Sequence, residues 1–300
     1  MEIINVSKAF VHRGRSIKSI GHRRKSSKNL IQPGQQPGMG HGEEKKKADS
    51  KILYENMNIS IKKGEIFALI GPNGVGKTTL MRMILGWDQD YTGEIKKDDF
   101  TKISYSPECP DFPGCLTGKE LLDFFIKIQK SHDDSSVLLE KVGLQANDET
   151  TIQTYSKGMK QRLGVAQALI GSPDLLLLDE PTAGLDYLGQ RQMTDLFQAF
   201  KREGKTIILN SHLLLDVEHI CDRGVIIIGP GLVRCFSRED LEDQSLGEMF
   251  LALAAEKQRM EEMQRPEEMQ KPAVNQKLAN QQRLAENQRE EGNHGQFYQA

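Results

Sequence analysis

Residues 71–80 read GPNGVGKTTL, a spacing of glycines ahead of a lysine and a threonine that suits a loop wrapped around phosphate oxygens. Gly71, Gly74 and Gly76 let the backbone bend so that successive N–H groups face inward. Lys77 then reaches the β- and γ-phosphates of a nucleotide, and the Thr78 hydroxyl ligates Mg²⁺. Pro72, Asn73, Val75 and Thr79 complete the stretch. Working outward, Ile66–Ile70 reads as a buried strand feeding the loop. Lys77 to about Leu85 reads as a helix whose positive end faces the same anion. The loop alone leaves kinases, GTPases and motor ATPases open.

Further along, DLLLLDEP at 174–181 is an apolar run ending in two acids. On a buried parallel strand it carries Asp179 to the carboxyl end, where ligands bind in open α/β sheets. Asp179 is placed to hold the Mg²⁺ shell, and Glu180 to take a proton from an attacking water. A guanine-binding NKxD is absent, which argues against a GTPase. A small-molecule kinase remains open on these two motifs.

YSKGMKQR at 155–162 decides between them. Ser156 precedes an amphipathic helix with Gly158 in its first turn, and a serine hydroxyl with free backbone N–H groups at a helix start is an anion cradle. One chain therefore carries two phosphate-binding helix starts.

With these motifs in this order, the chain resembles the nucleotide-binding subunit of ABC transporters over about residues 1–10 and 51–254. Ser156, Lys157, Gly158 and Met159 stand at the LSGGQ signature. The first glycine is replaced by Lys157 and the glutamine by Met159, a form that resembles the subunits partnering ABC-2 type exporters. The resemblance implies an α/β P-loop NTPase fold, with a largely parallel core sheet, an antiparallel β subdomain and a helical signature subdomain at about 108–165. It implies ATP and Mg²⁺ as cofactors and Glu180, His212 and Lys77 as the catalytic set. AGLD at 183–186, with Gly184, Leu185 and Asp186, resembles the D-loop. His212 resembles the switch histidine. Phe10 resembles the adenine-stacking aromatic, with Tyr54 a weaker candidate. The Q-loop position holds Glu108 in place of the usual glutamine, which adds a carboxylate near the metal.

The same resemblance implies head-to-tail dimers, with the signature of one subunit capping ATP held by its twin or a paralogue. A separate integral-membrane permease is implied, contacted through 109–130 and placing the chain at the cytoplasmic face of the membrane. An alternative is a non-transport ABC ATPase acting on the ribosome or on nucleic acid. Ribosomal members carry two cassettes per chain, however, and chromosome-maintenance members insert long coiled coils before the signature.

Composition agrees with a peripheral subunit. The net charge of −2 gives no general argument for nucleic acid or membrane binding. The four cysteines form no CxxC pair, so neither zinc nor a disulfide framework is suggested. No signal peptide or membrane-spanning run is expected. Two polar stretches flank or interrupt the domain. Residues 11–50 carry Arg13, Arg15, Lys18, Arg23, Arg24, Lys25, Lys28 and Lys45–Lys47 and read as a solvated insertion in the first hairpin, with an acidic partner, RNA or anionic lipid as alternatives. Beyond Ala255 the chain reads as a flexible or partly helical Gln-, Glu- and Met-rich tail, with Met260, Met263 and Met269 on one helix face and Pro266 and Pro272 interrupting it.

Overall fold

Three five-residue segments, IFALI, LLLLD and TIILN, are buried at every position. Strands this uniformly apolar need cover on both faces, and a parallel sheet between helices supplies it. A computed structural model of the protein describes residues 1–11, 50–97 and 99–263. The basic segment from Arg13 to Lys47 and the tail beyond Met263, including Pro266, Met269 and Pro272, lie outside the described residues.

The chain starts with β1 (Glu2–Val11) and β2 (Ser50–Ser60), which pair antiparallel. Then come β3 (Ile66–Ile70), α1 (Lys77–Leu85), β4 (Thr92–Lys96) and β5 (Ile103–Ser106). Three helices follow: α2 (Gly118–Gln129), α3 (Ser135–Lys141) and α4 (Lys157–Ala168). The rest alternates as β6 (Leu175–Asp179), α5 (Tyr187–Arg202), β7 (Thr206–Asn210), α6 (Leu214–Ile220), β8 (Arg223–Gly229) and β9 (Leu232–Ser237). Two helices close the described chain, α7 (Asp240–Asp243) and α8 (Leu246–Met263).

These strands form two sheets. The larger has the order β5-β6-β7-β3-β8-β9, parallel from β5 to β8 with β9 antiparallel at the edge. The smaller has the order β2-β1-β4 and is antiparallel. Leu80, Met81, Met83 and Ile84 of α1 belong to one core with Ile3, Val6, Leu53 and Met57 of the small sheet and with Phe67, Leu69, Leu177 and Val225 of the large one. Each such side chain contributes about 1.5–3 kcal/mol by leaving water, so α1 is fixed from both sheets. Its first residue is the loop lysine.

Helices α2, α3 and α4 pack on one another, and α4 reaches β5. Thr117 caps α2 as expected: Glu120 N donates to Thr117 Oγ1 at 3.2 Å, and Thr117 N donates to Glu120 Oε2 at 2.9 Å. This reciprocal pair satisfies two backbone donors at the helix start.

The chain divides into two compact units, Met1–Glu248, which holds both sheets, and Met249–Ala300. Within the second unit, residues 249–263 are helical and Met260 and Met263 are exposed. The shift to polar composition after Ala255 does not end α8, because Glu, Lys, Gln and Met are all good helix formers. Among the described residues, no helix is long and apolar enough to cross a membrane.

Candidate active site

Strands β6, β7 and β3 lie side by side and run parallel, so their carboxyl ends reach one edge of the sheet. From β3 comes the glycine loop, from β6 come Asp179 and Glu180, and from β7 come Asn210 and then His212. A cleft of about 330 Å³ opens there, walled by Asn73, Gly74, Lys77, Thr78, Glu108, Asp179, Glu180 and Asn210, with Lys51 and Leu53 at its side.

The loop has the conformation its glycines permit. Gly76 caps α1 with φ 116°, and a Cβ there would strike the Tyr54 hydroxyl. A Cβ at Gly71 would collide with the Ile227 carbonyl of β8. Lys77 Nζ donates to Gly71 O at 2.6 Å and to Pro72 O at 3.4 Å. Burial lowers the Lys77 ammonium, against the opposing pull of the Glu180, Asp179 and Glu108 carboxylates. The lysine therefore lies within the field of every acid in the cleft.

Asp179 is 4% exposed and takes three hydrogen bonds. Thr78 Oγ1 donates to its Oδ2 at 2.8 Å, and the Tyr105 hydroxyl donates to the same oxygen at 3.1 Å. Asn210 Nδ2 donates to its Oδ1. Burial first, and then the Asp179 charge, push the Tyr105 phenol up, so it remains a proton donor. Hard oxygen donors at Thr78 and Asp179 fit Mg²⁺, which binds through one or two carboxylates together with phosphate oxygens and water. Among the described residues no group of three or more His, Cys, Asp or Glu is arranged to hold a metal unaided, and Mg²⁺ with a nucleotide does not need one.

Glu180 has φ 47°, in the left-handed region that a residue with a Cβ rarely adopts. Its N–H donates to Asn210 O at 3.0 Å and its carbonyl accepts from Ala183 N at 3.0 Å. Held this way, its carboxylate faces His212: Nδ1 lies 2.7 Å and the backbone N 3.3 Å from Oε2.

The signature residues Ser156, Lys157, Gly158 and Met159 do not wall this cleft. Ser156 caps α4, with Met159 N donating to its Oγ at 3.2 Å. Lys157 packs its side chain on Gly184, and Gly158 faces Leu185, so signature and AGLD segments adjoin within one chain. Asp186 caps α5 by accepting from Gly189 N at 2.7 Å. The Phe10 side chain lies outside the described residues.

One expectation is corrected. Tyr54 is 0% exposed and donates from its hydroxyl to Gly76 O beneath the loop, so its ring has no face for an adenine. Three contributors escape the sequence reading altogether: Tyr105, Asn210 and Lys51, whose Nζ donates to Gly74 O at 3.2 Å. For Asn210 a signal exists, since it is a polar residue closing an apolar strand at the same sheet edge as Asp179.

A model of the ABC transporter family matches residues 54–183. The chain is 39% identical over 208 residues to an uncharacterized ABC transporter ATP-binding protein, YcbN of Bacillus subtilis, covering 65% of this chain and 68% of that one. It is 38% identical over 187 residues to the lantibiotic transport ATP-binding protein SrtF of Streptococcus pyogenes, covering 59% of this chain and 81% of the relative. The chain belongs to the ABC transporter ATP-binding proteins. A solved ATP-binding subunit of an ABC transporter superposes with a TM-score of 0.59 at 27% identity, covering 68% of this chain and 93% of that one. As an ABC ATP-binding subunit, the protein binds ATP and is an ATPase coupled to transport. Subunits of this family dimerise and work with membrane permeases.

Proposed function

We propose that this subunit drives an exporter, closing head-to-tail around two ATP molecules and delivering the closure to a separate permease at the cytoplasmic face of the membrane. The observation that carries the reading is the meeting of Thr78, Asp179, Lys77 and the Glu180–His212 pair at one sheet edge. In this reading Gly71 to Thr79 wrap the phosphates, Lys77 bonds the γ-phosphate, and Thr78 with Asp179 hold Mg²⁺. The ion would offset phosphate charge when bound. Glu180 accepts the proton of the attacking water, and His212 holds the Glu180 carboxylate in place until a γ-phosphate competes for the imidazole. Glu108, exposed at the cleft, faces the same phosphate.

None of Ser156, Lys157, Gly158 and Met159 lines the cleft of its own chain, which supports a shared site. Ser156 keeps its hydroxyl proton for a phosphate oxygen of the twin, beside the N–H group of Gly158 and the Lys157 ammonium. Export rather than import rests on the SKGMKQR form at 156–162. The permease contact is assigned to 109–130, where Phe124 and Ile128, one helical turn apart, are 56% and 59% exposed. The ATPase domain is taken as 1–254, with 11–50 as a solvated insertion and 255–300 as a dispensable extension.

Dilution tests the reading. Specific ATPase activity should fall as the protein is diluted below its dimerisation constant. Ser156→Ala should lower turnover about 100- to 1,000-fold while leaving ATP affinity of the monomer within twofold, the loss being one oxyanion-type donor. Concentration-independent turnover together with a silent Ser156→Ala would overturn it.

A further inference from the structure

Strands β5 and β7 flank β6 on its two sides, and each sends a polar side chain to the same carboxylate. Asn210 is the direct register partner of Asp179 in the β6–β7 ladder. Tyr105 is the register partner of Leu177 in the β5–β6 ladder, two residues before Asp179 and so on the same face of the sheet. The length of a tyrosine covers that offset, and its hydroxyl meets Asp179 Oδ2 at 3.1 Å. Asn210 Nδ2 meets Oδ1. Both carboxylate oxygens are thereby tied, one from each neighbouring strand.

The Asn210 amide is costly where it stands. It is 2% exposed, and its Oδ1 has no hydrogen-bond partner among the described residues. A buried acceptor left unpaired calls for an explanation. Turning the amide over would place Oδ1 against a carboxylate oxygen, so its orientation is dictated by Asp179. The Tyr105 ring is in turn held edge-on by Trp87, with centroids 5.4 Å apart. An aliphatic residue would pack in either strand without these demands.

We infer that Tyr105 and Asn210 are positioning residues that clamp Asp179 from both sides, fixing the orientation in which its Oδ2 and the Thr78 hydroxyl together receive a divalent cation. The inference rests on the reading of Thr78 and Asp179 as the cation-binding pair. Tyr105 and Asn210 act through the carboxylate, as outer partners of metal ligands do, where loss costs about 10- to 100-fold in metal affinity.

The test uses the full chain with manganese as the probe and a nonhydrolysable ATP analogue. Analogue affinity is measured in EDTA and then across a manganese titration, with bound manganese followed by electron paramagnetic resonance. Tyr105→Phe removes one oxygen, and Asn210→Leu removes the amide at similar volume. The double variant should raise the half-saturating manganese concentration about tenfold or more, with analogue affinity in EDTA unchanged. Tyr105→Phe alone should raise it severalfold, which keeps the inference exposed if the Asn210 variant does not fold. An unchanged manganese requirement, or an equal loss of analogue affinity with and without metal, overturns the clamp and leaves a merely structural role. Asp179→Asn separates the two levels. If it too leaves the manganese response unaltered, the cation-binding reading fails; if it alone abolishes the response, only the clamp fails.

Discussion

His212 Nδ1 and Glu180 Oε2 stand 2.7 Å apart, joining a residue just past β7 to one that follows β6 directly. The contact gives the strained backbone at Glu180 a purpose, because φ 47° points the carboxylate toward the His212 segment instead of back along the strand.

Two variants separate the pair. Glu180→Gln keeps shape and most hydrogen bonding but cannot accept a proton, so turnover should fall at least about 100- to 1,000-fold while ATP binding persists and a dimer accumulates on gel filtration with ATP. His212→Ala frees the carboxylate and should cost turnover with little change in ATP affinity. Ordinary single-turnover hydrolysis in Glu180→Gln would remove Glu180 from the proton-accepting role.

Tyr54→Phe deletes the hydroxyl under Gly76. The Gly76 carbonyl keeps its bond from Leu80 N at 2.9 Å but loses the tyrosine donor, at a cost of about 0.5–1.5 kcal/mol, or roughly 2–4 °C in Tm per kcal/mol for a domain of this size. The loop also loses its prop, so ATP affinity should weaken severalfold. A calorimetric melt and a nucleotide titration check both, and an unchanged pair of values would show the loop to be held by its glycines alone.

Much of the site can be read from the residues because it is carried by short, uniformly apolar strands. Ile66–Ile70, Lys77–Leu85 and Ile103–Ser106 are bounded as the pattern suggests; for Ile66–Ile70, burial at every position leaves little choice of period or length. The small strand β4 carries no such signal: TGEIK is exposed or half-exposed throughout, and only its pairing with β1 defines it. Tyr54 is misread for a related reason. Alternation identifies two faces of β2 but does not say which one α1 covers. Tyr105 stays hidden because its partner is a neighbour only in the strand order of the sheet.

Cys221 is buried, whereas Cys109, Cys115 and Cys235 are exposed. Burial pushes the Cys221 thiol from the ordinary 9.0 up to about 12. A raised thiol value favours the neutral form in the folded protein, so its contribution to stability is complete below pH 9 and is lost as pH rises toward 12. An aromatic disulfide reagent at pH 8 should therefore titrate the three exposed thiols of the native protein and reach Cys221 only in denaturant. Four fast thiols in the native state would contradict the packing around α6.

Phe124 on the outer face of α2 offers a separate handle on coupling. Phe124→Ser removes exposed apolar area and touches no residue of the cleft, so ATPase activity of the isolated subunit should stay within twofold. Vesicles reconstituted with the permease should lose transport. Loss of nucleotide affinity in this variant, with permease binding intact, would argue that α2 serves the site instead.

Trp87 is the only tryptophan in the chain, and it rests on the ring of the tyrosine that donates to Asp179. The molecule thus carries a native fluorophore two contacts from its carboxylate. Excited beyond the absorption of tyrosine, its emission should shift as cation and nucleotide arrive, a label-free readout in the unmodified protein on the timescale of mixing.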